Sequence, residues 1–254
     1  MKLGRTGRPG RSPNDRRTLW YGRYASTPGY TAPPPYEDWT GDRSAFTFLG
    51  NDRAGCCTRA CYGHVVQQRC ALLETACKLT EDHVLAAYQA GTGWDGVPGS
   101  ASDRGDNILS ALVQMKNSGL GPYRIRSFGR VNTHDPIEMR AALHTFGSLI
   151  VGANLPRRIQ RDGYDWDVSP LGARTADEAP GTLGGHAFIL TGHQRGQWFG
   201  LPWVDRVSIS YAWEDLYLDE AWFVVDDLWI TANRKAPNGF DLARLQADAA
   251  AISA

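Results

Sequence analysis

The run Asn51-Asp52-Arg53-Ala54-Gly55-Cys56-Cys57-Thr58 places a cysteine at the start of a long helical period. From Cys57 to Lys78 the residues Cys61, Val65, Cys70, Leu73 and Cys77 recur at helical intervals, with Arg59, Gln67, Arg69 and Glu74 between them. A helix N-terminus supplies about half a positive charge and free N–H donors, both of which favour thiolate over thiol. Cys57 is therefore a candidate nucleophile. It requires a histidine to hold or accept its proton, and that partner is normally distant in sequence and adjacent in the fold. Of the six histidines, His64 lies two turns further along the same helix, and His83, His134 and His144 have no distinguishing context. His186 follows Gly184-Gly185 and opens the apolar run AFILTG, where backbone can approach closely beside an emerging side chain. His193 falls beyond the end of that run. Cys57 and His186 are the expected pair.

All five cysteines (Cys56, Cys57, Cys61, Cys70, Cys77) lie within 22 residues of one another. On a continuous helix Cys70 and Cys77 would stand about 10.5 Å apart, beyond the ~7 Å between Cα atoms that a disulfide spans. Reduced thiols are expected. The spacings lack the paired short intervals of a zinc site, so neither a metal nor another cofactor is expected.

The elements that must position these groups follow from periodicity and caps. Thr80 precedes EDHVLAAYQA as a helix cap, and NILSALVQMKN (107–117) forms a third helix. PYRIRSFGRV alternates like a strand, DPIEMRAALHTFG is a short amphipathic helix, and SLIVGANL is an apolar run of strand length. A 29-residue irregular segment from Pro156 to Gly184 separates it from HAFILTGHQ. VDRVSISYAW and EAWFVVDDLWI are expected strands, and Asp241 caps a terminal helix running to Ile252. Helices followed by an antiparallel sheet make an α+β protein. Trp203, Trp213, Trp222 and Trp229 are assigned to its core.

Zero net charge over 254 residues conceals an asymmetry. Residues 1–23 carry seven basic side chains against Asp15 alone, a net +6, and the remaining 231 residues carry −6. Residues 1–44 also hold six prolines and many aromatics without period, which predicts an extended arm, 1–44, ahead of a domain at 45–232 and a tail at 233–254. The basic arm suits an acidic partner surface better than nucleic acid, which is not expected as a partner. No apolar run reaches the ~18 residues of a membrane helix, and the basic start is not followed by the apolar stretch of a secretory signal. No membrane association is expected, and synthesis is placed in the cytoplasm.

The residues resemble the papain-like cysteine peptidase superfamily, and more closely papain-like proteins encoded by bacteriophages and prophages. Gly50-Asn51-Asp52 followed by Gly55-Cys56-Cys57 is similar to the Gly-Asn-Asp and Gly-Asp-Cys stretches of those phage proteins, LTEDHVL to the stretch after their active-site helix, and GGHAFILTGH to their histidine strand. The resemblance covers residues 45–232. It implies an α+β papain-like fold, with an N-terminal helical half around a long central helix starting at Cys57 and an antiparallel β-sheet half. It also implies a nucleophile at Cys57, an imidazole at His186, and an oxyanion donor at Asn51, six residues before the cysteine.

Three departures stand out. The asparagine that orients the family's histidine, in an Asn-Ser-Trp-Gly motif, is matched here to Ser210-Tyr211-Ala212-Trp213-Glu214, which lacks it. Thr58 replaces an aromatic residue, and Cys56 replaces the Asp of the phage pattern. Loss of an orienting group costs orders of magnitude in rate. The function expected on this basis is that of a structural or accessory virion component with a vestigial or weak Cys-His site, in contact with other virion subunits through the arm 1–44. The alternative is an active peptidase or amidase acting on a peptide or amide substrate through the Cys57 thiolate and His186.

Overall fold

The computed structural model describes residues 1–14, 18–25, 32–169, 175–233 and 242–253. In chain order the elements are β1 (Glu37–Asp38), α1 (Cys57–Leu72), α2 (Glu81–Thr92), α3 (Ile108–Asn117), β2 (Ile125–Val131), α4 (Pro136–Phe146), β3 (Leu149–Leu155), α5 (Ile159–Asp162), β4 (Asp165–Trp166), β5 (Gly184–Gln194), β6 (Gln197–Leu201), β7 (Val207–Ser210), α6 (Tyr211–Tyr217), β8 (Leu218–Asp226), α7 (Asp227–Asn233) and α8 (Leu242–Ser253). The α+β class expected from the sequence is the class observed.

The strand order is β2-β8-β3-β5-β6-β7-β4, with β1 added alongside β5. Every pairing is antiparallel except β4 with β7. β3 is flanked by β8 and β5, and six of its seven residues are buried, which is why it reads as a continuous apolar run rather than an alternation. α1 crosses this sheet with all of Cys57–Cys70 buried. A helix covered on every side shows little amphipathic contrast, as α1 does with its mixture of cysteines, Arg59, Gln67 and Gln68. Its buried charges are paired: Arg59 with Asp106 at 2.8 Å and Arg69 with Asp226 at 2.8 Å. Two apolar clusters result, one between α1–α3 and the sheet, the other on the opposite side beneath α4 and α6.

Caps fix most boundaries as read. The Thr80 side chain accepts from the His83 backbone N–H while the His83 ring answers to Thr80 N–H, a reciprocal capping box. Asn107 and Asp135 cap α3 and α4. Three expectations are corrected. α1 stops at Leu72 instead of Lys78, because Glu74 takes the left-handed conformation (φ 52°) and Thr75 N–H bonds back to the Cys70 carbonyl, leaving Cys77 off the helix and exposed. The stretch SYAW turns from strand to helix, since Ser210 caps α6 by accepting from Trp213 N–H. The last strand ends at Asp226, where α7 begins, and β6 was not anticipated as an element of its own. Asp241, assigned as the cap of the terminal helix, lies outside the described residues.

Residues 1–14 lie against the domain with Arg8 and Ser12 buried, and the following part of the arm enters its core: Leu19, Tyr21 and Tyr24 are buried with Phe146 and Phe223. Tyr21 meets both of those rings edge-on at about 6 Å. Among the described residues no helix is long and apolar enough to cross a membrane.

His64, buried on α1, bonds through Nε2 to the Thr47 carbonyl at 2.9 Å, and burial holds its pKa down at about 4. The unfolded chain, with an ordinary histidine pKa of 6.5, takes up a proton between pH 6.5 and 4 that the folded chain does not. Stability contributed by this residue therefore falls as pH drops through that window, by about 1.4 kcal/mol per pH unit. His64→Gln keeps an N–H donor for Thr47 and should remove that part of the slope when urea unfolding is compared at pH 7 and pH 4.5.

Candidate active site

Cys57 is the first residue of α1 and is fully buried. Cys56, the N-cap, contributes no side-chain cap, so the first-turn N–H groups of α1 are left for other partners. The loop before it is held by Asp103, whose Oδ1 accepts from the Gly55 N–H and the Tyr88 hydroxyl, both at 2.9 Å. Asn51, 2% exposed, reaches back over this loop and donates from Nδ2 to the Ala54 carbonyl at 3.0 Å. Because α1 packs on β5, Cys57 lies against the start of that strand, near enough to the backbone N–H of Ala187, the residue after His186, for that N–H to favour the thiolate.

His186 sits on β5 opposite Ala153 of β3 and is fully buried. Its Nε2 bonds to the Pro202 carbonyl oxygen at 2.6 Å, and its Nδ1 has no hydrogen-bond partner. A carbonyl only accepts, so Nε2 carries the proton and Nδ1 is left as the basic nitrogen. Trp203 stacks on the imidazole with centroids 4.5 Å apart and planes inclined by 27°. Ser210–Trp213, matched to the family's orienting motif, does not orient His186. Ser210 bonds Asp167, Tyr211 reaches the Gln194 carbonyl, and Trp213 packs on Trp166, all away from His186. Leu201-Pro202-Trp203, at the end of β6, does the orienting instead, with a main-chain oxygen in place of a carboxamide. The aromatic at offset 17 from the histidine was its legible signal; a backbone acceptor leaves none in the sequence.

The cleft between these groups is filled by the chain's own N-terminus. Arg5 N–H donates to the Asn51 carbonyl at 2.6 Å, and Asn51 Nδ2 donates to the Arg5 carbonyl at 3.1 Å. Gly7 and Arg8 N–H both point at the Gly185 carbonyl, at 3.1 and 3.0 Å, and Asp106 N–H donates to the Gly7 carbonyl at 2.8 Å. Gly7 N–H also lies near enough to Cys57 to favour its thiolate. Gly4 lies against Trp203. Only glycine fits at position 7, where a Cβ would overlap the Gly55 carbonyl oxygen. Glycines at 4 and 7 of the basic arm were the sequence signal for this close approach, and composition alone did not reveal it.

Under this strap the pair is uncharged. Burial pushes the Cys57 thiol up, more than the Ala187 and Gly7 N–H groups and Arg8 pull it down, and burial holds His186 down at about 3. The chain nonetheless holds a buried thiol at a helix N-terminus, a buried imidazole of fixed tautomer one residue before the Ala187 N–H that acts on that thiol, and a buried carboxamide donor in the loop leading into the helix. That set is able to carry out acyl transfer.

Sheet, central helix and cleft together define the fold of the papain-like cysteine proteases. Xylellain, a cysteine protease from Xylella fastidiosa, superposes with a TM-score of 0.66 at 14% identity, over 88% of this chain and 98% of that one. Digestive procathepsin L 3 of the Tenebrio molitor larval midgut gives a TM-score of 0.53 at 12% identity, over 85% of this chain and 76% of the other. Neither a protein-family profile nor a curated protein sequence matches the chain. Nothing in these likenesses links it to a bacteriophage particle.

All five cysteines are free thiols, four of them buried and Cys77 exposed. A thiol reagent should therefore modify about one group quickly in the native protein, and that group is lost in Cys77→Ser and retained in Cys57→Ala. Denaturation without reductant should expose all five.

Proposed function

We propose that this chain is a papain-like cysteine peptidase held latent by residues 4–8 of its own N-terminus. The observation that carries this reading is the occupancy of the cleft: the Asn51 carboxamide, the Asn51 main-chain carbonyl and the Gly185 carbonyl are all hydrogen-bonded by strap backbone. Such engagement is what a peptide substrate would require of the same groups.

The strap binds without presenting a cleavable bond. The carbonyl held by Asn51 belongs to Arg5, whereas the strap group that acts on the thiol is the N–H of Gly7, two residues on. Attack needs the carbon at sulfur and the oxygen at the donor to come from one carbonyl. With the strap displaced, water re-enters and the charged pair is no longer penalised by burial. His186 Nδ1 then takes the Cys57 proton and Sγ adds to a peptide carbonyl. The oxyanion forms between Asn51 Nδ2 and the Cys57 backbone N–H. Collapse expels the amine, protonated by the imidazolium, and water hydrolyses the thioester to complete the cycle. The Pro202 carbonyl stabilises the imidazolium throughout, and Trp203 shields that bond from solvent.

The test compares the full chain with Gly7→Val, whose side chain cannot share space with Gly55. Wild-type protein should turn over a mixed fluorogenic peptide library at least about 100-fold more slowly than Gly7→Val, and adding Cys57→Ala to Gly7→Val should abolish turnover. A folded Gly7→Val protein that alkylates rapidly at Cys57 but cleaves nothing would defeat the peptidase reading. In the active form, Trp203→Ala should lower kcat by about 10-fold by exposing the His186 to Pro202 bond, with KM little changed.

A further inference from the structure

Asp219 and Glu220 are consecutive residues of β8, and in a regular strand their side chains would point to opposite faces of the sheet. Here the β3–β8 register slips: Gly152 pairs with Glu220 and Ala153 with Leu218, so Asp219 is the extra residue of a bulge. Both carboxylates consequently reach one buried spot beside the cleft. The guanidinium of Arg8 fills it. Nη1 donates to Glu220 Oε1 at 2.9 Å and Nη2 to Asp219 Oδ2 at 2.8 Å, with Asn154 Oδ1 at 3.5 Å from Nη2. Asn154 in turn holds Asp219 Oδ2 through Nδ2 at 2.9 Å, and Trp222 Nε1 holds Glu220 Oε2 at 2.9 Å. Gly152 forms the floor, where a Cβ would press on the guanidinium.

Charge shows that the spot is built for a cation. Among the described residues, without Arg8 its two carboxylates keep one ion-paired countercharge, Arg130, whose Nη2 is 3.5 Å from Glu220 Oε2. Glu220 is fully buried, and Asp219 Oδ1 is buried without a partner. A net negative charge enclosed this way is costly unless a cation arrives. Two acceptors on separate residues also fit the planar fork of a guanidinium better than the single point of an ammonium.

Resting on the peptidase reading above, we propose that the pocket formed by Asn154, Asp219 and Glu220 selects an arginine side chain in the peptide substrate, and that Arg8 is its built-in occupant. The strap thus blocks both the reacting groups and the site that reads sequence. Substrates with arginine within reach of this pocket are cleaved preferentially, and lysine is a poor substitute.

Two measurements on full-length Gly7→Val, with Arg8→Ala as a second strap-loosened variant, test this. In the first, a positional peptide library should give arginine at one position at least 10-fold higher kcat/KM than lysine and 100-fold higher than leucine. Adding Asp219→Asn, which keeps the shape, should cut that preference about 10-fold. In the second, a labelled synthetic peptide of residues 1–14 should bind Gly7→Val at least 10-fold more tightly than the same peptide with citrulline replacing Arg8. Turnover with no arginine preference overturns the pocket and leaves the peptidase standing. Absence of turnover defeats the peptidase, and the binding comparison still decides the pocket: equal affinity of the two peptides overturns it.

Discussion

The first turn of α1 packs on the first residues of β5, which sets Cys57 near the Ala187 N–H, and on this packing the other features of the cleft depend. Three successive residues of one strand serve it. The Gly185 carbonyl receives a peptide backbone, His186 supplies the imidazole, and Ala187 steadies the sulfur. The geometry holds because α1 is buried on all sides and β5 is paired with β3 and β6, so neither partner can tilt without opening a packed core. Asp103 and Asn51 then fix the loop that leads into the helix.

Orienting an imidazole through a main-chain carbonyl has a consequence that a side chain would not share. The Pro202 oxygen cannot be removed by substitution and cannot flip between donor and acceptor as a carboxamide can, so the tautomer of His186 is set by the fold itself. Trp203 shields the arrangement, and its indole completes the stack on the ring. Specific recognition on the same sheet likewise depends on backbone irregularity, since the bulge at Asp219 converts two residues of opposite facing into one binding corner.

Much of this was legible in the sequence. The α1 start at Cys57, the β5 start near Gly184-Gly185-His186, and the Thr80, Asn107 and Asp135 caps follow from local chemistry, and the N-terminal segment bonds to both Asn51 and Gly185. What was not legible depends on through-space placement. A carbonyl acceptor has no residue signature, so Ser210–Trp213 was matched in place of Pro202-Trp203. The end of α1 turned on a non-glycine residue, Glu74, entering the left-handed region, which propensity disfavours. The basic arm showed its charge but not its destination: Arg8 is 3% exposed inside the domain's own acidic corner, so at least one of the seven cations is spent within the chain.

The strap is joined to the domain by a short covalent path, for Ser12 is bonded to Glu220 and Leu109, and Leu19 lies in the core only seven residues later. A segment tethered so closely experiences an effective concentration on the order of millimolar or above. Its contacts therefore need only modest intrinsic affinity to keep the cleft occupied. The same segment severed from the domain would be diluted to its bulk concentration, and one peptide bond broken beyond Ser12 would convert a permanent occupant into an ordinary exchanging ligand. The lock is thus a property of chain connectivity as much as of the interface, and it weakens by dilution with no change in any atom that touches the site.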